Sequence, residues 1–562
     1  MNEVPAGAHG AGATDAPLRG VTVELYDTTL RDGTQGQGVS FTSDDKVAIA
    51  RRLDSFGIDL IEGGWPGSNP RDVAFFERMI DVPLERATLA AFGRTRRKGI
   101  PPEDDGNLLA LLRARTPVVT LFGKSWTLHV IEALGASLDE NLRMIEESVA
   151  YCREQGVRVI YDAEHFFDGW RADAEYALET LAAAARGGAE RLVLCDTNGG
   201  ALPAQIAAGV RDTRTRWDVI VGVHTHNDAG LAVANALAGI EAGARHVQGT
   251  IGGYGERCGN ADLLTVLGTL VLKLGAVQPQ ALTALTALSR FVDDRANLVS
   301  NPRTPYVGEA AFAHKGGIHV SAVNKRPETY EHVPPETVGN VRRVLLSDLS
   351  GRANVVAKAT ELGDGGLAEG AGELVGRLKE LEHLGFAFEG AEASFQLVAR
   401  KARGEHRPFF TLHGYTVVID KRDGDVAPRC EASVRVQVGD AFEHTAADGD
   451  GPVNALDRAL RKALEGFYPT LAELRLTDYK VRVLGGPDSG TASIVRVVVE
   501  TTDGRRIWGT VGAQENIIDA SYQALLDAID SKLHADGVPP AGGAHDVDAV
   551  GAPTDVMPTA RR

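Results

Sequence analysis

The chain has 562 residues, 43% apolar and 24% charged, enough for several cores of ordinary globular composition. Its net charge of −17 repels phosphate backbones and sets nucleic acid aside as a partner. No run approaches the ~18 apolar residues of a membrane-spanning helix, and four cysteines without a CxxC pair exclude a disulfide framework or thiolate zinc site.

Residues 1–20 are dominated by small residues, Gly and Pro and lack an apolar signal core. They are expected to form a disordered tail of a cytoplasmic protein, and residues 536–562 a second tail. From 21 to 275, β-rich runs alternate with helical patterns. Strands are predicted over Thr22–Tyr26, Asp59–Gly63, Ala87–Phe92, Val118–Phe122, Arg158–Asp162, Arg191–Asp196, Val219–His224 and His246–Ile251. The helical stretch after the first strand has Ser43 or Asp44 as cap and an apolar stripe of Val47, Ile49, Ala50, Leu53 and Phe56. Eight strand–helix units in ~250 residues match a TIM (β/α)8 barrel. A doubly wound open sheet is the alternative. In a barrel, the chemistry belongs at the C-terminal strand ends.

Residues 276–400 read as helical linker subdomains. Their helical stretches are separated by Pro-rich connectors such as 300–308 and 326–337, and the glycines of 363–372 suggest a flexible loop. Residues 405–535 hold an internal repeat. Cys430–Val438, Glu443–Ala447 and a helix over Pro452–Leu464 form one β-β-α unit. Ala492–Thr501, Arg505–Thr510 and a helix over Asn516–Leu533 form the other. Such an α+β module is expected to bind an effector or to dimerise.

The predicted seventh strand ends in GVHTHNDAG. His224 and His226, two apart, share a strand face, and beside Asn227 and Asp228 they suggest metal ligands or a solvated polar strand end. The first strand ends in DTTLRDGTQ, with Asp27, Arg31 and Asp32. A carboxylate there can bind a cation, and a guanidinium can bind a substrate oxygen. The eighth ends in GTIGGYGERCGN, where Gly253 and Gly255 let backbone approach a ligand. Asn260 is either a helix cap or a fourth ligand. GKS at 123–125 is no phosphate loop, because Val118 stands where the first glycine is required. Two His, a carboxylate and an amide suit a divalent cation such as Mg2+, Mn2+ or Zn2+. A non-haem iron triad is the alternative.

Leu30-Arg31-Asp32-Gly33-x-Gln35 with Lys46 beyond it, VGVHTHNDAGLAVA and GYGERCGN together resemble the signatures of the 2-isopropylmalate, homocitrate and citramalate synthase family. The similarity runs through about residues 20–535. FGKSWTLHV, YDAEHFFDGW and YEHVPPETVGN look nearest to its citramalate branch. The resemblance implies a Claisen condensation of acetyl-CoA with a 2-oxo acid, followed by thioester hydrolysis. It implies Asp32, His224, His226 and Asn260 as metal ligands, and Arg31 as stabiliser of the ketone oxygen. It further implies Thr197 on the substrate carboxylate and Glu164 as a catalytic residue. His319, with His314 as its competitor, and Tyr330 would be supplied by a partner subunit.

On that resemblance the expected substrates are pyruvate and acetyl-CoA, with isoleucine as effector of a homodimer. Pyruvate needs a small pocket, and Trp65, Phe92, Leu121 and Phe122 are candidate plugs, or plain barrel core. A 2-isopropylmalate or homocitrate synthase, a retro-Claisen lyase and a catalytically silent amino-acid sensor are the competing functions.

Overall fold

The computed structural model describes residues 16–345, 354–356, 358, 371–422, 427–484 and 493–540. Residues 1–15 and 541–562 of the expected tails, and most of the glycine-rich stretch 363–372, lie outside the described residues. Leu18, assigned by composition to the first tail, is buried in the barrel core. Val538, assigned to the second, packs on the C-terminal core. An apolar side chain that finds a core orders chain that composition alone reads as tail.

Eight parallel strands close into one barrel in sequence order. They are β1 (Glu24–Asp27), β2 (Leu60–Gly64), β3 (Thr88–Arg94), β4 (Val118–Lys124), β5 (Arg158–Glu164), β6 (Arg191–Asp196), β7 (Ile220–Thr225) and β8 (His246–Gly249). β1 closes against β8 with Glu24 beside His246. The open-sheet alternative falls with that closure.

Strands covered on both faces must be apolar on both, which is why they read as short continuous hydrophobic runs. Along β4, Val119 and Leu121 pack among the helices, while Val118 and Thr120 face the interior. The first barrel helix, Ser43–Phe56, is capped by Thr42 in a capping box with Asp45 and stops at left-handed Gly57. The cap precedes both expected candidates.

The chain divides into two compact units: residues up to 313 with 331–343, and residues 314–330 with 344 onward. The stretch expected as separate linker subdomains is therefore shared between them. In the second unit each repeat is a three-stranded antiparallel sheet with one helix. The expected β-β-α units are present, and each gains a leading strand, Thr411–Asp420 or Arg475–Leu484. Both added strands carry a register shift, near Leu412/Gly414 and Leu476/Asp478. A bulge of that kind breaks the two-residue period by which a strand is read. Helix Pro452–Leu464 buries Leu456, Ala459 and Leu460 against Ala432, Val434 and Val436. Helix Ile517–Ala535 buries Ala520 and Ala524 against Val497 and Val499. Among the described residues no helix is long and apolar enough to cross a membrane.

Candidate active site

The polar residues singled out in the sequence converge at the C-terminal ends of the barrel strands. Asp32, just past β1, lies between the two histidines of the β7 end. Its Oδ2 is 3.4 Å from His224 Nε2 and 3.8 Å from His226 Nε2. One ligand atom from each of these three buried residues lies within 4.8 Å of the others. Burial drives His224 down to about 3 and lowers His226, so both imidazoles are neutral, the form that binds a cation. Burial alone would raise Asp32. The Arg31 guanidinium outweighs it and holds the carboxyl below its ordinary value.

Asn260 completes the group. Its Nδ2 donates to the Tyr254 carbonyl at 3.0 Å, while its Oδ1 is buried with no protein partner. A buried amide oxygen left unpaired is costly unless a ligand takes it. The donor set of two imidazoles, a carboxylate and an amide oxygen therefore fits a divalent cation. Gly253 and Gly255 build the seat of Asn260. The Gly253 carbonyl accepts from Asn260 N–H at 3.1 Å. At Gly255, with φ +150°, a Cβ would stand 2.2 Å from Asn260 Nδ2. Only glycine lets this loop close around the amide.

Arg31 is fixed before any ligand arrives. Its Nε donates to Glu62 at 2.5 Å, and its guanidinium carbon lies 3.7 Å from the Phe92 ring centroid. Glu62 also accepts from the Tyr26 hydroxyl at 2.7 Å. Asp27 serves the turn instead: its carboxylate holds Thr29 N and Oγ1 at 3.0 and 2.8 Å, and burial pushes it up to about 7.

Of the four candidate plugs, three meet. Phe92 and Phe122 stack with centroids 5.2 Å apart, and Trp65 sets its edge on both at 5.9 and 5.4 Å. Leu121 does not join them. Alternation along β4 turns it outward into the helix layer. Trp65 is anchored twice. Its indole N–H donates to Asn107 Oδ1 at 2.6 Å, and its backbone N–H donates to Asp72 at 2.8 Å. The signature Lys46 is buried and donates to that same Asp72 at 2.5 Å. Lys46 and the Trp65 backbone are thus tied to one carboxylate.

Glu164 ends β5 and forms an ion pair with Lys124, its register partner on β4. Sequence reasoning gave Lys124 no role, because GKS was weighed as a phosphate loop and FGKSWTLHV only as family wording. Thr197 Oγ1 accepts from His165 N–H at 2.9 Å, which leaves its hydroxyl proton free to donate. His165 holds this position at φ +57°, a backbone strain that clusters at functional sites. In the second unit His319, on helix Gly317–Lys325, is exposed and stacks on Tyr330 with centroids 4.1 Å apart. His314 is buried.

Residues 22–292 match the HMGL-like family, 306–384 the homocitrate synthase post-HMGL domain-like family, and 389–533 the LeuA allosteric (dimerisation) domain. The (R)-citramalate synthase of Geobacter sulfurreducens is 52% identical over 91% of this chain and 98% of its own. That of Aquifex aeolicus is 51% identical over 92% and 98%. The chain belongs to the (R)-citramalate synthase family. A probable 2-isopropylmalate synthase of Methanopyrus kandleri is 36% identical over 90% and 97%, so the relation reaches the neighbouring branch at lower identity. Family members at 44–52% identity span nearly the whole chain, barrel and repeat together.

Proposed function

We propose that the chain condenses acetyl-CoA with pyruvate and water to give (R)-citramalate and free CoA. The observation that carries the reading is the aromatic wall of Trp65, Phe92 and Phe122. It packs through Phe92 on Arg31, beside Asp32, and bulky rings placed there favour a small 2-oxo acid side chain over a branched one. Asp32, His224, His226 and Asn260 would hold a divalent cation, Mg2+, Mn2+ or Zn2+. When bound, the cation would supply a Lewis acid that polarises the 2-oxo acid. Thr197 donates its free hydroxyl proton to the carboxylate. Arg31, rigid against Glu62 and Phe92, donates to the ketone oxygen as that oxygen gains charge.

The acetyl methyl loses a proton, its carbon adds to the ketone carbon, and water then cleaves the thioester. We assign the proton transfers to Glu164, held by Lys124, and to His319 with Tyr330 from a partner subunit of a homodimer. The exposure of the His319–Tyr330 pair and the burial of His314 support His319 as the residue that reaches outward. The match to an allosteric dimerisation domain supports a homodimer, and the repeat at 405–535 is proposed to bind isoleucine.

The test is release of free thiol from acetyl-CoA with a panel of 2-oxo acids. Pyruvate is expected to show the highest kcat/KM. A preference for 2-oxoisovalerate or 2-oxoglutarate would place the chain's activity in another branch.

A further inference from the structure

A buried side chain that no motif singled out touches the first metal-binding histidine. Gln248 on β8 is fully buried, and its Oε1 lies 3.0 Å from His224 Nδ1. Its Nε2 lies 2.9 Å from Asp162 Oδ1 on β5 and 3.4 Å from His246 Nε2. We propose that Gln248 is a positioning residue, which fixes His224 in the tautomer whose bare Nε2 faces Asp32.

The argument follows the donors. His246 Nδ1 lies 2.6 Å from Glu24 Oε2, and Glu24 also takes a two-pronged ion pair from Arg191 at 2.6 and 2.7 Å. A carboxylate held by an arginine accepts, so His246 carries its proton on Nδ1 and turns a bare Nε2 toward Gln248. The Asp162 oxygen is a second acceptor on the same side. Two acceptors on one side call for the amide NH2 there, which leaves the amide oxygen facing His224. His224 must then donate from Nδ1, and its Nε2 lone pair is left for a cation.

A hydrogen-bonded chain thus runs from the Arg191–Glu24 pair through His246 and Gln248 to the ligand histidine. Partners of this kind fix ring orientation and raise ligand basicity, and losing one typically weakens metal binding about 10–100-fold. The inference rests on the cation reading of Asp32, His224 and His226. It goes further by assigning a residue outside the ligand set.

The experiment is a titration of chelator-stripped, full-length protein with Zn2+ against a chromophoric competitor, at a temperature where every variant is folded. Gln248→Met should bind Zn2+ about 10–100-fold more weakly than wild type. Gln248→Glu, which keeps an acceptor toward His224, should bind at wild-type affinity or tighter. A merely structural role would lower the melting temperature of Gln248→Met and leave the Zn2+ affinity of the folded protein unmoved, and that result overturns the proposal.

If Gln248→Met does not fold, the wild-type metal-free protein decides. Imidazole 15N shifts, assigned with His224→Asn, should show His224 protonated on Nδ1. Protonation on Nε2 would mean that the chain runs the other way, and the proposal is wrong. A wild-type protein that binds no Zn2+ removes the cation reading itself. Wild-type binding with an unaffected Gln248→Met removes only the role of Gln248.

Discussion

Strand β5 of the barrel is covered along its length on both faces, whereas the repeat strand Arg429–Val438 alternates buried and water-facing residues. The difference decides where polar groups can stand. In the repeat the buried positions are Cys430, Ala432, Val434, Val436 and Val438, and polar side chains turn to water. In the barrel no water-facing side exists, so every inward polar group needs a protein partner or a ligand. Glu62, Asp162, Gln248, His224 and Asn260 are all buried there, and Asn260 Oδ1 is left for a ligand. The barrel interior is where the chain carries its chemistry. The repeat keeps an apolar core, and its other face is the one proposed to pair or to bind an effector.

The largest effect expected from this division falls on the two histidines. His224→Ala or His226→Ala should lose bound cation and about 10³-fold or more in turnover, since a ligand supports several kcal/mol of transition-state stabilisation. Metal analysis and thiol-release kinetics check this together. Full activity in chelator-treated buffer would break the comparison at its functional end.

At the N-terminal end of the barrel the same rule acts on stability. Burial would raise Glu24, but hydrogen bonds from His246 and Arg191 outweigh it and bring the carboxyl from an ordinary 4.5 to about 2. A carboxyl depressed in the folded state stabilises fully above its unfolded value and loses that contribution as pH falls through the folded value. Glu24 should therefore contribute about 3 kcal/mol at neutral pH, lost between pH ~4.5 and ~2. Urea melts of wild type and Glu24→Gln across that window read it. Parallel curves would show that the ion cluster does not govern acid stability.

The aromatic wall gives a smaller effect. Trp65→Ala should shift the kcat/KM ratio of 2-oxobutyrate to pyruvate upward by about 10–200-fold, the worth of one methylene. An unchanged ratio would assign Trp65 to packing alone.

The repeat is sharpened by two gentler tests. Isoleucine should lower the activity of the full chain and have no effect on a chain ended after residue 400. Equal inhibition of both would mean competition at the active site. Mixing inactive His319→Ala and Glu164→Ala chains under subunit exchange should restore about a quarter of wild-type activity, because half the dimers are mixed and each regains one of two sites. No recovery after verified exchange would place His319 outside the partner's site.

The same contrast explains what could be read from the amino-acid order. All eight barrel strands lie within a few residues of their expected places because double-sided burial writes a compact apolar run. The strands Thr411–Asp420 and Arg475–Leu484 escaped because one face meets water and a bulge interrupts each alternation. Asp32, His224, His226 and Asn260 were legible as motif residues at strand ends. Gln248 and Lys124 were not: Gln248 sits within β8 and Lys124 ends β4, and each gains its meaning only from a neighbour on another strand. Leu121 misled for the converse reason. It is large and lies at the right height, but its parity along β4 turns it away from the mouth.

The most direct measurement of the account is the product formed from [1,2-13C2]acetyl-CoA and pyruvate, followed by NMR with chiral chromatography. The account predicts (R)-citramalate carrying the label in its CH2–carboxylate arm, with one CoA thiol released per molecule. Thiol release only with 2-oxoisovalerate or 2-oxoglutarate, and no citramalate from pyruvate, would contradict it.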